Sequence, residues 1–310
     1  MVGVGEVTAG GDVTSIEVYT VGAVTAVTSG NLTYEGIPTP GEAAVSFESR
    51  AAAATFINPM GIAFSNGYYA TLDSPTAGGV TGTDTLRGGD GNISTGAPFQ
   101  EPMEYKSTSY GGSSFNKPQG LVGDSQGRFY VADTGHQRVV EFGQLPFIGS
   151  YYNVVTNLPW LGFWTGGNGY SFKKPVAVAV DLSDNVYVAD VGTGNTVVQK
   201  YSPEGVRVLG TWTLINNCQA NGLAVDGNSN FYVSDIGTGP GGGGQVEEYH
   251  MNSSTSATLL RAWTVPAVSL YENVPFYPGP IALIGNSSLT TITNILVGDQ
   301  NNDVIQEFGP

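Results

Sequence analysis

The stretch GRFYVADTGHQRVVEFG, residues 127–143, holds two apolar runs, FYVAD and RVVEF, around a short TGHQ turn. An aspartate, a histidine and an arginine fall close together in it, at Asp133, His136 and Arg138. On its own the trio reads as an active site. The reading changes if the stretch is one copy of a repeat, because the same residues then have to be explained in every copy.

The pattern recurs. It returns as NVYVADVGTGNTVVQKY at 185–201, NFYVSDIGTGPGGGGQVEEY at 230–249 and NILVGDQNNDVIQEF at 294–308, with a weaker copy, GYYATLD, at 67–73. The aspartates ending these strands are Asp73, Asp133, Asp190, Asp235 and Asp299, spaced by 60, 57, 45 and 64 residues. An earlier strand precedes each one: PMGIAFS at 59–65, PQGLVGD at 118–124, PVAVAVD at 175–181, ANGLAVD at 220–226 and PGPIALIG at 278–285. These runs are short, β-branched and bounded by Pro, Gly or Asp, as strands are. Apolar residues on both faces imply burial on both sides. A third strand carries an aliphatic, two variable residues and an aromatic: Val139–Phe142, Val198–Tyr201, Val246–Tyr249 and Ile305–Phe308. A fourth reads Leu-x-x-Trp-Thr at 161–165, 209–213 and 260–264, so Trp164, Trp212 and Trp263 share one repeat position and read as packing residues.

Four antiparallel strands per unit, radially repeated, define an all-β propeller. The segment KPQGLVGDSQGRFYVADTGHQRVVEFG (117–143) resembles an NHL repeat, whose usual form is Pro-x-Gly-[IL]-Ala-Val-Asp, a glycine turn, Tyr-Val-Ala-Asp, then Asn-x-Arg-[IV]. The likeness spans roughly residues 57–310, with His136 standing where the family has Asn. It implies the fold; propellers host many unrelated activities.

The expected units are 57–115, 116–171, 172–219, 220–275 and 276–310, with 1–56 as a partial blade or N-terminal arm. Residues 4–19 lie on 186–201 without a gap, sharing the third-strand signature at Ile16–Tyr19. That favours six blades, two of them incomplete, with five blades plus an N-terminal β arm as the alternative. The last unit ends after its third strand. AAVSFES (43–49) closing it, a trimmed chain, and a strand donated by a neighbouring subunit are the competing explanations, ring closure within the chain being favoured.

Charged residues make up 12% of the 310, about half the usual share of roughly 25%. Acids outnumber bases 26 to 11, a net charge of −15 that would repel phosphate backbones and argues against nucleic acid. Gly, Ser, Thr, Asn and Tyr fill the space charges leave, a bias associated with secreted, cell-surface or virion proteins. Cys218 is the one cysteine, so no intramolecular disulfide forms. No apolar run approaches the ~20 residues of a membrane-spanning helix.

His136 reads as a turn residue that hydrogen-bonds locally, and the repeated aspartates as turn acceptors rather than a carboxylate ring for calcium. Calcium is the one cofactor left open, since DLSDN (181–185) and DQNND (299–303) are oxygen-rich but lack the spacing of a calcium loop. The aromatic segment 144–164, with Phe147, Tyr151, Tyr152 and Trp160, is the candidate binding patch for a protein or a sugar. The Gly/Ser/Thr-rich insertion at 74–115 reads as a loop. The expectation is a non-enzymatic binding or structural module, with partners among other proteins, copies of itself or carbohydrate. A metal-dependent lyase or hydrolase working at the central channel is the alternative.

Overall fold

The computed structural model describes residues 2–7, 13–19, 27–28, 31–32, 58–66, 68–90, 105–107, 109–110, 113–143, 159–192, 194–205, 207–214, 217–237, 244–264, 275–301 and 304–309. The chain opens with a hairpin of β1 (Val2–Val7) and β2 (Val13–Tyr19), then a two-residue pair, β3 (Val27–Thr28) and β4 (Asn31–Leu32). Blade one is β5 (Pro59–Ser65), β6 (Tyr68–Asp73), β7 (Thr85–Asp90) and β8 (Tyr105–Ser107). A small hairpin, β9 (Ser109–Tyr110) and β10 (Ser113–Ser114), leads on. Blade two is β11 (Gly120–Gly123), β12 (Phe129–Asp133), β13 (Arg138–Phe142) and β14 (Trp160–Trp164). Blade three is β15 (Pro175–Val180), β16 (Val186–Val191), β17 (Thr196–Tyr201) and β18 (Val208–Thr213). Blade four is β19 (Ala220–Val225), β20 (Asn230–Asp235), β21 (Gln245–Met251) and β22 (Ala257–Trp263). Blade five is β23 (Pro278–Gly285), β24 (Ile292–Asp299) and β25 (Val304–Phe308).

Each blade is an antiparallel meander in chain order. The first strands stand side by side, β5 by β11, β11 by β15, β15 by β19 and β19 by β23. Of the two expected counts, the five-bladed one with an N-terminal β arm is found. Among the described residues the first 20 supply two strands, which pair with each other as a separate sheet, and β1 runs beside β5. The insertion at 74–115 is not all loop: β7 and β8 in it are the outer strands of blade one. Its run TLRGGD carries no aliphatic-x-x-aromatic signature, so the repeat was illegible there. AAVSFES (43–49) lies outside the described residues.

The core sits between blades. One cluster joins Leu72 and Leu86 of blade one to Val131 and Phe142 of blade two, and another joins Tyr130 and Val139 to Val188 and Tyr201 of blade three. The largest spans blades three and four through Ala189, Val198, Trp212, Phe231 and Tyr249. A fourth links Tyr232 and Val246 to Ile295 and Val297 of blade five. Burial of both faces of a sheet accounts for strands without polar alternation. The glycine of the Pro-x-Gly motif has a packing cause. A Cβ on Gly120 would sit 3.0 Å from the backbone of Val176, Ala177 and Val178 in the next inner strand.

The turn from first to second strand is built alike in blades two to five, where Gly127, Asp184, Ser229 and Leu289 each stand three residues after the capping Asp or Asn, with φ of 90°, 60°, 64° and 49°. Only one of them is the glycine that this left-handed backbone favours. In blade one Ser65 pairs directly with Tyr68 across a two-residue turn.

Candidate functional site

The five strand-ending aspartates are buried, with exposures of 0 to 2%. Each accepts a backbone N–H from the segment leading into its own blade's first strand. Asn58 donates to Asp73 at 2.8 Å, Asn116 to Asp133 at 2.8 Å, Lys174 to Asp190 at 2.7 Å, Gln219 to Asp235 at 2.7 Å and Tyr277 to Asp299 at 3.2 Å. Sequence reasoning expected acceptors within the local turn. Gly237 N–H on Asp235 is such a bond, but the recurring partner lies 15 to 22 residues earlier. The aspartate is a clasp between the chain entering a blade and the end of its second strand.

A second set, Asp124, Asp181 and Asp226, caps the turns at the opposite strand ends. Asp124 accepts from the N–H groups of Gln126 and Arg128, Asp181 from those of Ser183 and Asn185, Asp226 from those of Asn228 and Asn230. A tyrosine hydroxyl reaches each, from Tyr130, Tyr187 and Tyr232. Blade two adds the Arg128 guanidinium and blade three the Lys200 ammonium at 3.0 Å. Burial alone would raise the Asp181 carboxyl, but the Asn185 amide and Lys200 outweigh it and hold the group below its ordinary value. A carboxylate ringed by N–H donors and an ammonium does not fit Ca²⁺, which needs six to eight free oxygens.

Asp133, His136 and Arg138 do meet. His136 Nδ1 and Arg138 Nε both lie 2.9 Å from Asp133 Oδ2. Arg138 Nη2 also lies 3.3 Å from His136 Nδ1. The guanidinium also covers the Phe163 ring, 4.9 Å from its centroid. Within its blade the arrangement closes the turn Thr134–His136, the place where the family pattern has Asn.

Of the candidate patch, Trp160 is described and is 42% exposed. Phe147, Tyr151 and Tyr152 lie outside the described residues. The repeat tryptophans pack. Trp164 lies 5.7 Å from Tyr201 and Trp212 5.8 Å from Phe231, each across a blade boundary, while Trp263 stacks on Tyr232 at 6.4 Å. Their signature partners do the opposite. Leu161, Leu209 and Leu260 are 54%, 36% and 52% exposed, and Phe163 is 50% exposed. Sequence reasoning missed this exposure, although residues three apart on a strand face opposite ways. A tryptophan turned into the seam leaves its leucine turned out.

Cys218, Asp235 and Glu247 are buried, with potential ligand atoms within 4.8 Å of one another. This trio was not anticipated, since its members stand far apart in the chain. Gln245 Nε2 donates to one Glu247 oxygen at 2.6 Å and the Tyr249 hydroxyl to the other at 2.7 Å. Burial and the nearby Asp235 charge push the Glu247 carboxyl up, and burial pushes the Cys218 thiol up. Both Glu247 oxygens already hold donors, and Asp235 Oδ1 accepts from the Gln219 and Gly237 N–H groups. Blade three has the same motif with an amide, the Tyr201 hydroxyl donating to Gln199 Oε1 at 2.6 Å.

Residues 115–142 match the family model of the NHL repeat. The chain is thus a β-propeller that carries an NHL repeat in its second blade. A search of curated proteins finds no match. Among solved structures, the propeller is similar to Kuenenia stuttgartiensis hydrazine synthase, at 10% identity and a TM-score of 0.53, over 96% of this chain and 74% of that one. It is similar to U3-55K at 9% identity and a TM-score of 0.51, over 93% and 73%. It is similar to the RRP9 WD40 repeats at 10% identity and a TM-score of 0.50, over 93% and 72%. An enzyme and a set of WD40 repeats share the architecture, so the likeness is one of fold. No helix among the described residues is long and apolar enough to cross a membrane.

Proposed function

We propose that this NHL propeller is a binding and structural module of a secreted or surface-exposed kind, whose partner is a protein docking on its rim. One observation carries the reading: three successive blades turn a leucine outward at the same register, Leu161, Leu209 and Leu260, flanked on blade two by Trp160 and Phe163. Apolar side chains repeated on an exposed surface favour protein contact. Tryptophan and phenylalanine at one end offer the anchors on which binding energy concentrates. The low charge of the chain supports an uncharged contact surface.

The test compares the unmodified protein with a Leu161→Ser, Leu209→Ser, Leu260→Ser variant. Crosslinking on the intact biological surface, read by mass spectrometry, should attach the unmodified protein to a defined partner through residues of the rim. The variant should keep its circular dichroism and lose that product. Equal capture by both proteins would rule out the rim. Stoichiometric Zn²⁺ binding with turnover would instead support a metal-dependent enzyme.

A further inference from the structure

Blade five departs from the rule its neighbours follow. The first aliphatic of the third strand is sealed in blades two, three and four, where Val139, Val198 and Val246 each show 0% exposure. Each lies opposite a tryptophan of the fourth strand, Trp164, Trp212 and Trp263. Ile305 holds that position in blade five and is 42% exposed, with Val304 at 47%. Among the described residues β25 is the last strand of its sheet. Its outer row of backbone groups is an edge of the kind proteins normally cover.

The repeat also says what a strand beside β25 looks like. Fourth strands read Leu161-Gly-Phe-Trp164-Thr165, Leu209-Gly-Thr-Trp212-Thr213 and Leu260-Arg-Ala-Trp263-Thr264. Ile16-Glu17-Val18-Tyr19-Thr20 has the same order of aliphatic, two variable residues, aromatic and threonine; its first four residues also fit the third-strand signature, and the threonine, which no third strand carries there, sets it with the fourth strands. Its first four residues are in β2, whose partner among the described residues is β1, with Val2 opposite Tyr19. In its own chain the hairpin stands with β1 beside β5, the inner strand of blade one, and not along β25.

We propose that β2 of a second copy adds antiparallel to β25 and completes blade five, with Tyr19 opposite Ile305. Backbone hydrogen bonds along the new ladder give affinity, and the aromatic over Ile305 gives register. Applying blade two's pairing, Val18 falls opposite Gln306 and Glu17 opposite Glu307. Blade four sets Arg261 against Glu248 at that place. A Glu–Glu pair there weakens the contact and makes it reversible. Every copy carries one donor and one acceptor, so the contact is head-to-tail and builds a ring or a filament. The leucine rim plays no part in it.

The experiment mixes Tyr19→Cys protein with separately prepared Ile305→Cys protein under a mild oxidant. The unmodified protein, whose Cys218 is buried, serves as the control. The expected result is a dimer-sized, reducible band in the mixture that far exceeds either variant alone. Adding Glu17→Arg to the donor should lower the protein concentration needed by about two- to fivefold. Absence of the band overturns the proposal. So does a Tyr19→Cys, Ile305→Cys double variant that crosslinks only within one chain, which would place β2 on its own blade five. A Glu17→Arg donor that needs more protein overturns the register.

Discussion

The backbone N–H of Lys174 donates to Asp190 Oδ1 at 2.7 Å, fastening the chain that enters blade three to the end of that blade's second strand. Lys173 N–H and the Tyr170 hydroxyl converge on the same carboxylate. Asp190→Ala strands these buried donors and should cost about 3 kcal/mol. Asp190→Asn keeps one acceptor oxygen and should cost less. Urea denaturation reads both. An Ala variant that unfolds at the unmodified midpoint would show the clasp to be idle.

The shared left-handed turn position makes a test with opposite signs. Gly127→Ala puts a Cβ at φ 90° and should destabilise by about 1 kcal/mol. Leu289→Gly relieves a side chain held at φ 49°. The strain released exceeds glycine's entropic cost, so a gain of about 0.5 kcal/mol is expected. Thermal melts of the two variants should move in opposite directions.

Two carboxyls give the stability profile opposing slopes. The Asp181 carboxyl is held low when folded, so its contribution is present above its unfolded value of 3.8 and lost as pH falls through the folded one. The Glu247 carboxyl is held high, so its penalty is absent at low pH and grows as pH rises above its unfolded value of 4.5. Lys200→Met should therefore flatten the acid limb of the melting-temperature curve. Glu247→Gln, which copies Gln199, should stabilise the protein at pH 7 and lose that advantage near pH 4. A Glu247→Gln protein that melts lower at neutral pH would contradict the assignment.

His136 and Arg138 share one carboxylate oxygen and should differ in consequence. The His136 side chain is 35% exposed and that of Arg138 11%. His136→Asn restores the residue of the repeat pattern and should change stability by no more than about 0.5 kcal/mol. Arg138→Ala removes a cation from a fully buried carboxylate and should cost about 3 kcal/mol. Equal effects in chemical denaturation would mean that the histidine, not the arginine, holds the turn.

Legibility followed the repeat. The Tyr-Val-Ala-Asp strands and the Leu-x-x-Trp outer strands were readable because burial between blades imposes one apolar pattern on every copy. The outer strands of blade one were not, since Thr85–Asp90 is glycine-rich and carries no aromatic terminus. The trio of Cys218, Asp235 and Glu247 was invisible because sheet pairing, not sequence proximity, brings it together. Exposure at Leu161, Leu209 and Leu260 was hidden by hydropathy itself: a leucine in a strand is read as core unless the position of that strand in the blade is known. The clasps were half legible. The aspartates were evident from recurrence, but a partner that is a bare N–H carries no signature in the side chains.

The clasps all point the same way along the chain. In every blade the acceptor follows its donor, by 15 to 22 residues. A chain emerging from a ribosome at about 5–20 residues per second has already released the donor when the aspartate appears, so both halves of each clasp are outside before the next blade is made. The links between blades, such as Thr134 Oγ1 to the Pro175 carbonyl and Ser234 Oγ to the Gly279 carbonyl, must wait for the next blade. Synthesis thus delivers this propeller as a row of buckles, each with both halves in hand before the next is made.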